Sequence, residues 1–201
     1  MNKTYFDLSQ TEHRDRYKLL TGLIVPRPIG WIGTRRSSGT FNLAPFSFFN
    51  VVSTDPPTVI FSGGAHADRP KDSVTLAGET GEFTVNIVSE SVAMAMSVTS
   101  GSFGPEDDEF AIAGLTAVTG TLVDAPMVAE SPANLECRTT DVVEIGGGAS
   151  RLVVGEVVAV HVKADALDGT RVLHSRIEAI GRMAGTSYTT TRDVFEVVRP
   201  A

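Results

Sequence analysis

Two runs joined by a polar turn decide the fold. The first is Arg27-Pro28-Ile29-Gly30-Trp31-Ile32-Gly33-Thr34, and the turn is Arg35-Arg36-Ser37-Ser38. The second is Gly39-Thr40-Phe41-Asn42-Leu43-Ala44-Pro45-Phe46-Ser47-Phe48-Phe49-Asn50. β-Branched and aromatic residues fit the half-buried, pleated surface of a strand. Leu23 to Thr34 therefore reads as one β-rich region and Phe41 to Val52 as another. Pro45 removes a ladder donor, which predicts an edge or a bulge there. Phe46, Phe48 and Phe49 are expected as core or subunit contacts.

Further strands follow the same grammar. Pro57 to Ser62 is a short apolar run. Glu82 to Val88 alternates with period two and puts Phe83, Val85 and Ile87 on one face. Leu135 to Ile145 and Arg151 to Val162 flank Gly146-Gly147-Gly148-Ala149-Ser150, a hairpin loop. Arg171 to Ile180 is a weaker strand. Helices are few. Pro70 and Asp72 mark a helix start and Gly81 its stop. Ser89 to Ser97 and Glu106 to Ala113 read as two more short helices. Short strands with two or three inserted helices predict a mainly β, antiparallel barrel. The regular strand–helix alternation of a doubly wound sheet is missing. With no repeat or linker, residues 1–201 are expected as one domain: an extension over 1–20, a barrel over about 20–185 and a tail over 186–201.

The chain carries 17 Lys and Arg against 24 Asp and Glu, a net charge of −7. That balance opposes binding to nucleic-acid phosphates or to an anionic membrane. No apolar run approaches the roughly 18 residues of a spanning helix. Met1 to Gln10 lacks the apolar core of a signal peptide, so a cytoplasmic protein is expected. The single Cys137 excludes an internal disulfide, and it is expected as a small buried hydrophobe rather than a thiolate nucleophile. His13, His66, His161 and His174 show no metal-binding spacing, and no metal is expected. Nucleophile-elbow, Walker and Gly-x-Gly-x-x-Gly patterns do not occur.

Two places can hold an anion. At Pro70-Lys71-Asp72-Ser73, free N–H groups and the helix dipole favour a phosphate, with Arg69 close by. An ordinary capped surface helix is the competing reading. At Thr34-Arg35-Arg36-Ser37-Ser38-Gly39, two arginines stand among three hydroxyls, and a solvated turn competes. Asn42 and Ser47 are candidate polar contacts to a flat heterocycle, and backbone freed at Pro45 could join them.

The ordered set of motifs resembles the flavin reductase-like, FMN-binding split-barrel family. It runs from the opening stretch through Asp55-Pro56-Pro57, Phe61-Ser62, Lys71-Asp72-Ser73, Thr80 to Asn86, Asp108-Glu109-Phe110, Ala113-Gly114-Leu115, Glu130-Ser131-Pro132, Leu135-Glu136-Cys137, Gly155-Glu156-Val157 and Gly181-Arg182-Met183. The resemblance implies a six-stranded antiparallel split barrel with a Greek-key arrangement, usually a homodimer. It implies bound FMN, with FAD as an alternative, and NADH or NADPH as hydride donor. A monooxygenase component that receives the reduced flavin is an implied partner. An electron carrier or flavin store without NAD(P)H turnover is the alternative reading. Carried over, Thr34, Arg35, Lys71, Asp72 and Ser73 would hold the phosphate, with Ser62 and Arg69 completing that end. Asn42, Leu43, Ala44 and Ser47 would line the isoalloxazine edge. Met127 stands where the family often shows arginine. No catalytic side chain is assigned. His161 is a weak candidate for the nicotinamide side, against a strand histidine with a satisfied hydrogen bond.

Overall fold

The computed structural model describes residues 2–64, 70–148 and 150–200. Arg69 and His66, singled out above, lie outside the described residues. The chain opens with α1 (His13–Leu23), followed by β1 (Gly30–Arg35), β2 (Phe41–Phe46), β3 (Phe49–Thr54) and β4 (Pro57–Gly64). Next come α2 (Asp72–Thr80), β5 (Glu82–Ile87), α3 (Ala93–Val98) and α4 (Glu109–Ala113). After these lie β6 (Ala117–Thr119), β7 (Pro126–Val128), β8 (Ala133–Ile145), β9 (Ser150–Val162) and α5 (His174–Ile177).

Seven strands form one antiparallel sheet in the order β2-β1-β5-β8-β9-β4-β3. The two ends of this order meet without a backbone ladder. The Phe46 ring of β2 packs on the Phe61 ring of β4, centroids 4.9 Å apart. Side chains thus close a barrel that hydrogen bonds leave open, which is a split barrel. The expectation of six strands is corrected to seven in this sheet. The run Phe41 to Val52 breaks at Ser47-Phe48, and its halves pair with strands at opposite ends of the sheet.

Strand alternation sorts the core into two sides. On β1 and β2, Ile32 and Phe46 join Phe61, Val74, Ala77 and Phe83 inside the barrel, under α2. Trp31 and Leu43 point the other way, to Val88, Met96, Phe110 and Val128 under α3 and α4. Trp31 and Ile32 are both fully buried, and removing such side chains from water contributes roughly 2–3 kcal/mol each. Gly33 lies between these layers. A Cβ there would run into the Pro126 carbonyl and the Thr84 hydroxyl.

Other readings of the sequence change. α1 begins within residues 1–20 and runs past them to Leu23. Its only buried residue is Thr21, so it leaves no apolar stripe to read. Strand structure in Leu23 to Thr34 begins only at Gly30. Arg27, itself buried, donates to Thr21 O, Ile24 O and Met183 O, and so closes the end of α1 against the C-terminal part of the chain. Arg171 to Ile180 is not one strand: α5 interrupts it between the short strands Arg171–Val172 and Ile180–Arg182. Pro45 sits on an edge strand, as its missing donor requires, and β2 pairs with β1 without a bulge.

Candidate functional site

The helix α2 begins where Pro70 and Asp72 place it, and Gly81 ends it in the left-handed conformation, φ 72°. Lys71 is its N-cap and supplies no side-chain cap bond. This uncapped end faces β2 across a cavity of about 160 Å³. Asn42, Ala44, Lys71, Ser73, Thr99 and Glu109 are among its lining residues, as is Asp72.

Asn42 ties the site together. Its buried Nδ2 donates to Thr34 Oγ1 at 3.1 Å and to Ser73 Oγ at 2.8 Å. Three of the expected site residues thereby form one cross-brace between β1, β2 and α2. Lys71 is exposed, with its Nζ 5.3 Å from the centre of the Phe46 ring. Among the described residues it has no carboxylate partner. Asp72 is different: its Oδ2 accepts from Arg36 Nη2 at 3.1 Å.

Other expected residues lie outside this cavity. Leu43 is in the core, because alternation turns it to the face opposite Asn42 and Ala44. Ser47 accepts from Arg27 Nε at 3.4 Å. Ser62 is half-buried on β4, and its backbone N–H donates to Phe48 O. Arg35 is exposed and 3.8 Å from Asp124. It lines a second, larger cleft of about 900 Å³ that shares Pro70 and Asp72 with the first. Asp72, Glu79, Glu82, Glu106 and Asp124 carry carboxylates into that cleft against Arg35 and Arg36. Size favours the larger cleft, but its charge opposes a phosphate, and the smaller cavity holds Lys71, a cation with no carboxylate partner among the described residues.

Some lining residues escaped the sequence reading. Arg36 rather than Arg35 is the buried arginine of the turn. It donates to Phe41 O, Asp107 O and Asp72, and lies 3.5 Å from Glu109 Oε2. Thr99 enters the wall because its Oγ1 accepts from Trp31 Nε1 at 2.8 Å and donates to Met96 O. A buried indole N–H needs such a partner, so Trp31 was the signal that a hydrogen-bond acceptor had to be near. Burial raises the Glu109 carboxyl above its ordinary range, and its own backbone N–H, then Arg36 and the Leu43 N–H, only partly oppose this.

A second polar centre lies on β8 and β9. Glu136 is fully buried, and its carboxylate accepts from the backbone N–H of Thr121, Leu122 and Val123 at 2.6–2.9 Å. His161 Nε2 donates to it at 2.5 Å. Burial alone would push this carboxyl up, but the His161 ring and the three N–H groups outweigh burial and hold it at about 2. Cys137 next to it is buried, and desolvation with the Glu136 charge pushes its thiol up, so it stays protonated.

The chain is similar along nearly its full length to proteins from bacteria. It is 42% identical over 208 residues to an uncharacterized protein of Deinococcus radiodurans, covering 99% of this chain and 91% of that protein. Among solved structures, nitrilotriacetate monooxygenase component B from Bacillus cereus superposes with a TM-score of 0.95 at 31% identity, covering 98% of this chain and 100% of that one. The 2-nitrobenzoate 2-nitroreductase NbaA of Pseudomonas fluorescens gives 0.90 at 28%, covering 98% and 96%. A split-barrel-domain protein from Shewanella frigidimarina shares the fold, with a TM-score of 0.85 at 22% identity, covering 98% and 100%. The region from the end of α1 through β1, α2 and β9 to Ile180 is matched as one unit: residues 22–180 fit the flavin reductase like domain, and the chain belongs to that family.

Proposed function

We propose that this chain is an FMN-dependent oxidoreductase of the NAD(P)H:flavin reductase type, which passes electrons from a reduced nicotinamide to flavin. The observation that carries the reading is the cavity at the start of α2. It combines an uncapped helix N-terminus, the Lys71 cation, which has no carboxylate partner among the described residues, and the hydroxyl of Ser73. Such a donor set fits a phosphate. Its volume of about 160 Å³ suits one end of a flavin nucleotide rather than the whole molecule.

The bound flavin would supply the redox chemistry; the chain supplies position and electrostatics. Lys71 and Ser73 bind the phosphate end. Thr34 and Asn42 act one step back, fixing Ser73 in place. Ala44 and Pro45 bring the edge of β2 to the cavity. Arg35, Leu43, Ser47, Ser62 and Arg69 remain expectations from the sequence. The likeness to a monooxygenase component B supports a second protein that uses the reduced flavin. Exposed Phe48, Val51 and Val52 on and beside β3 suit the homodimer. We place the protein, acting as one domain, in the cytoplasm.

The test is an absorbance spectrum of the purified protein, with FMN added where none copurifies, before and after anaerobic NADH and NADPH. Flavin bands that bleach with either nicotinamide support the proposal. Bands that persist with both overturn the reductase reading and leave a flavin carrier or store. Failure to bind FMN overturns the cofactor assignment.

A further inference from the structure

The cavity holds one buried acid that the binding reading does not use. Glu109, the first residue of α4, is only 5% exposed, and its Oε2 has no hydrogen-bond donor. Arg36 Nη1 is 3.5 Å away, but that guanidinium already serves Asp72 and two backbone carbonyls. One buried cation therefore faces two carboxylates.

We propose that Glu109 takes up a proton when an anionic group settles in this cavity, so that ligand binding and protonation of its carboxyl are one coupled event. The inference rests on the cavity holding the phosphate end of a flavin. A dianion placed beside an ionised, poorly solvated carboxylate is repelled, and a proton on the carboxylate removes the repulsion. The other charges around Glu109 do not change this balance. From the loop before α4, the Asp107 carboxylate accepts from Gly104 N, and that of Asp108 accepts from Phe41 N and Ala111 N. Both are negative, as is Asp72 at the start of α2. Among the described residues, Lys71 is the cation that lines the cavity, and it is exposed. Of the pair on Arg36, Asp72 has the direct 3.1 Å bond to the guanidinium, and Glu109 stands at 3.5 Å. Burial already biases Glu109 toward the neutral form before any ligand arrives.

The experiment is calorimetric titration of the full chain with FMN at pH 8, in two buffers of different ionisation enthalpy. At that pH the free phosphate is already a dianion, its second pKa being about 6. The expected result is uptake of about half to one proton per FMN by the natural chain and none by Glu109→Gln. Riboflavin, lacking the phosphate, should give buffer-independent heats in both. FMN heats that do not depend on buffer, or equal uptake by Glu109→Gln, overturn the inference. No FMN binding in either buffer overturns the cofactor reading beneath it, which is a different result. A second readout is FMN affinity against pH by flavin fluorescence. The natural chain should lose up to about tenfold per pH unit on the alkaline side, and Glu109→Gln should bind more tightly than it there. An equal loss for Glu109→Gln at every pH means a purely structural role and overturns the inference.

Discussion

Replacing Glu136 by Gln should make this protein less stable at neutral pH and less sensitive to acid. The carboxyl is held at about 2 in the folded chain against an ordinary 4.5. A folded-state value below the unfolded one means stability that is present above the unfolded value and lost as pH falls. A tenfold change in proton affinity is about 1.4 kcal/mol, so the ionised carboxylate contributes about 3 kcal/mol at pH 7. Linkage leaves about 1.4 kcal/mol of this at pH 3 and less than about 0.5 kcal/mol at pH 2. The amide of Gln is nearly the same size, so packing changes little. It cannot match a carboxylate facing three backbone N–H donors and the His161 ring.

The assay is reversible urea unfolding followed by fluorescence of Trp31, the single tryptophan and fully buried, between pH 7 and pH 3. Glu136→Gln should lose roughly 3 kcal/mol at pH 7, and the gap should narrow by about half or more at pH 3. A gap that stays constant across this range would show that the ionised carboxylate is not what the loop at Thr121 to Val123 depends on. The reasoning would then be refuted.

Other substitutions test other parts of the argument. Lys71→Ala should weaken FMN binding by about 1–3 kcal/mol and leave riboflavin far less affected, read by fluorescence titration; equal losses would remove Lys71 from the phosphate. Arg36→Ala removes the cation beside Glu109 and the 3.1 Å bond to Asp72 and should cost about 3–5 kcal/mol in urea unfolding, whereas an exposed Arg35→Ala should cost less than about 1 kcal/mol. Gly33→Ala should destabilise by about 1–3 kcal/mol through the clash with Pro126 and Thr84, measured as a lower urea midpoint at unchanged slope. Cys137 should react with a thiol reagent at pH 8 only once the chain is unfolded, and fast native-state labelling would contradict its burial.

The strands were legible where one period dominated. Glu82 to Val88 alternates, and β5 occupies Glu82–Ile87 with Phe83 and Val85 in the barrel. The helix start at Pro70 to Ser73 and its stop at Gly81 were legible because cap grammar is local. α1 was not, because a helix that buries only Thr21 has no stripe. Nor was α5, four residues long, which lies inside a stretch rich in strand formers. At the site, Asn42, Ala44, Lys71, Asp72 and Ser73 come together around one cavity. Which of two adjacent arginines turns inward could not be read from the turn alone, since it depends on Asp72 and Glu109, 36 and 73 positions further along the chain. Leu43 shows the converse: the motif names a stretch, but strand alternation decides which of its side chains reach the cavity.

That the cavity lies against β2 follows from the sheet order. An edge strand leaves a row of backbone groups unpaired, and exposed edges invite pairing with other chains. Pro45 removes one donor from that edge. The start of α2 and the loop Thr99 to Phe103 come over Ala44 and Pro45 without adding a strand. The result is an edge covered by polar groups rather than by a ladder. Its hydroxyl-bearing residues are held from behind, Thr99 by Trp31 and Ser73 by Asn42. In a chain of net charge −7, Lys71 has no carboxylate partner among the described residues at this edge, while the other cation there, Arg36, is claimed by Asp72 and Glu109. An anionic ligand therefore meets Lys71 first and Glu109 next. Its affinity should follow the proton on Glu109 as closely as the charge on Lys71.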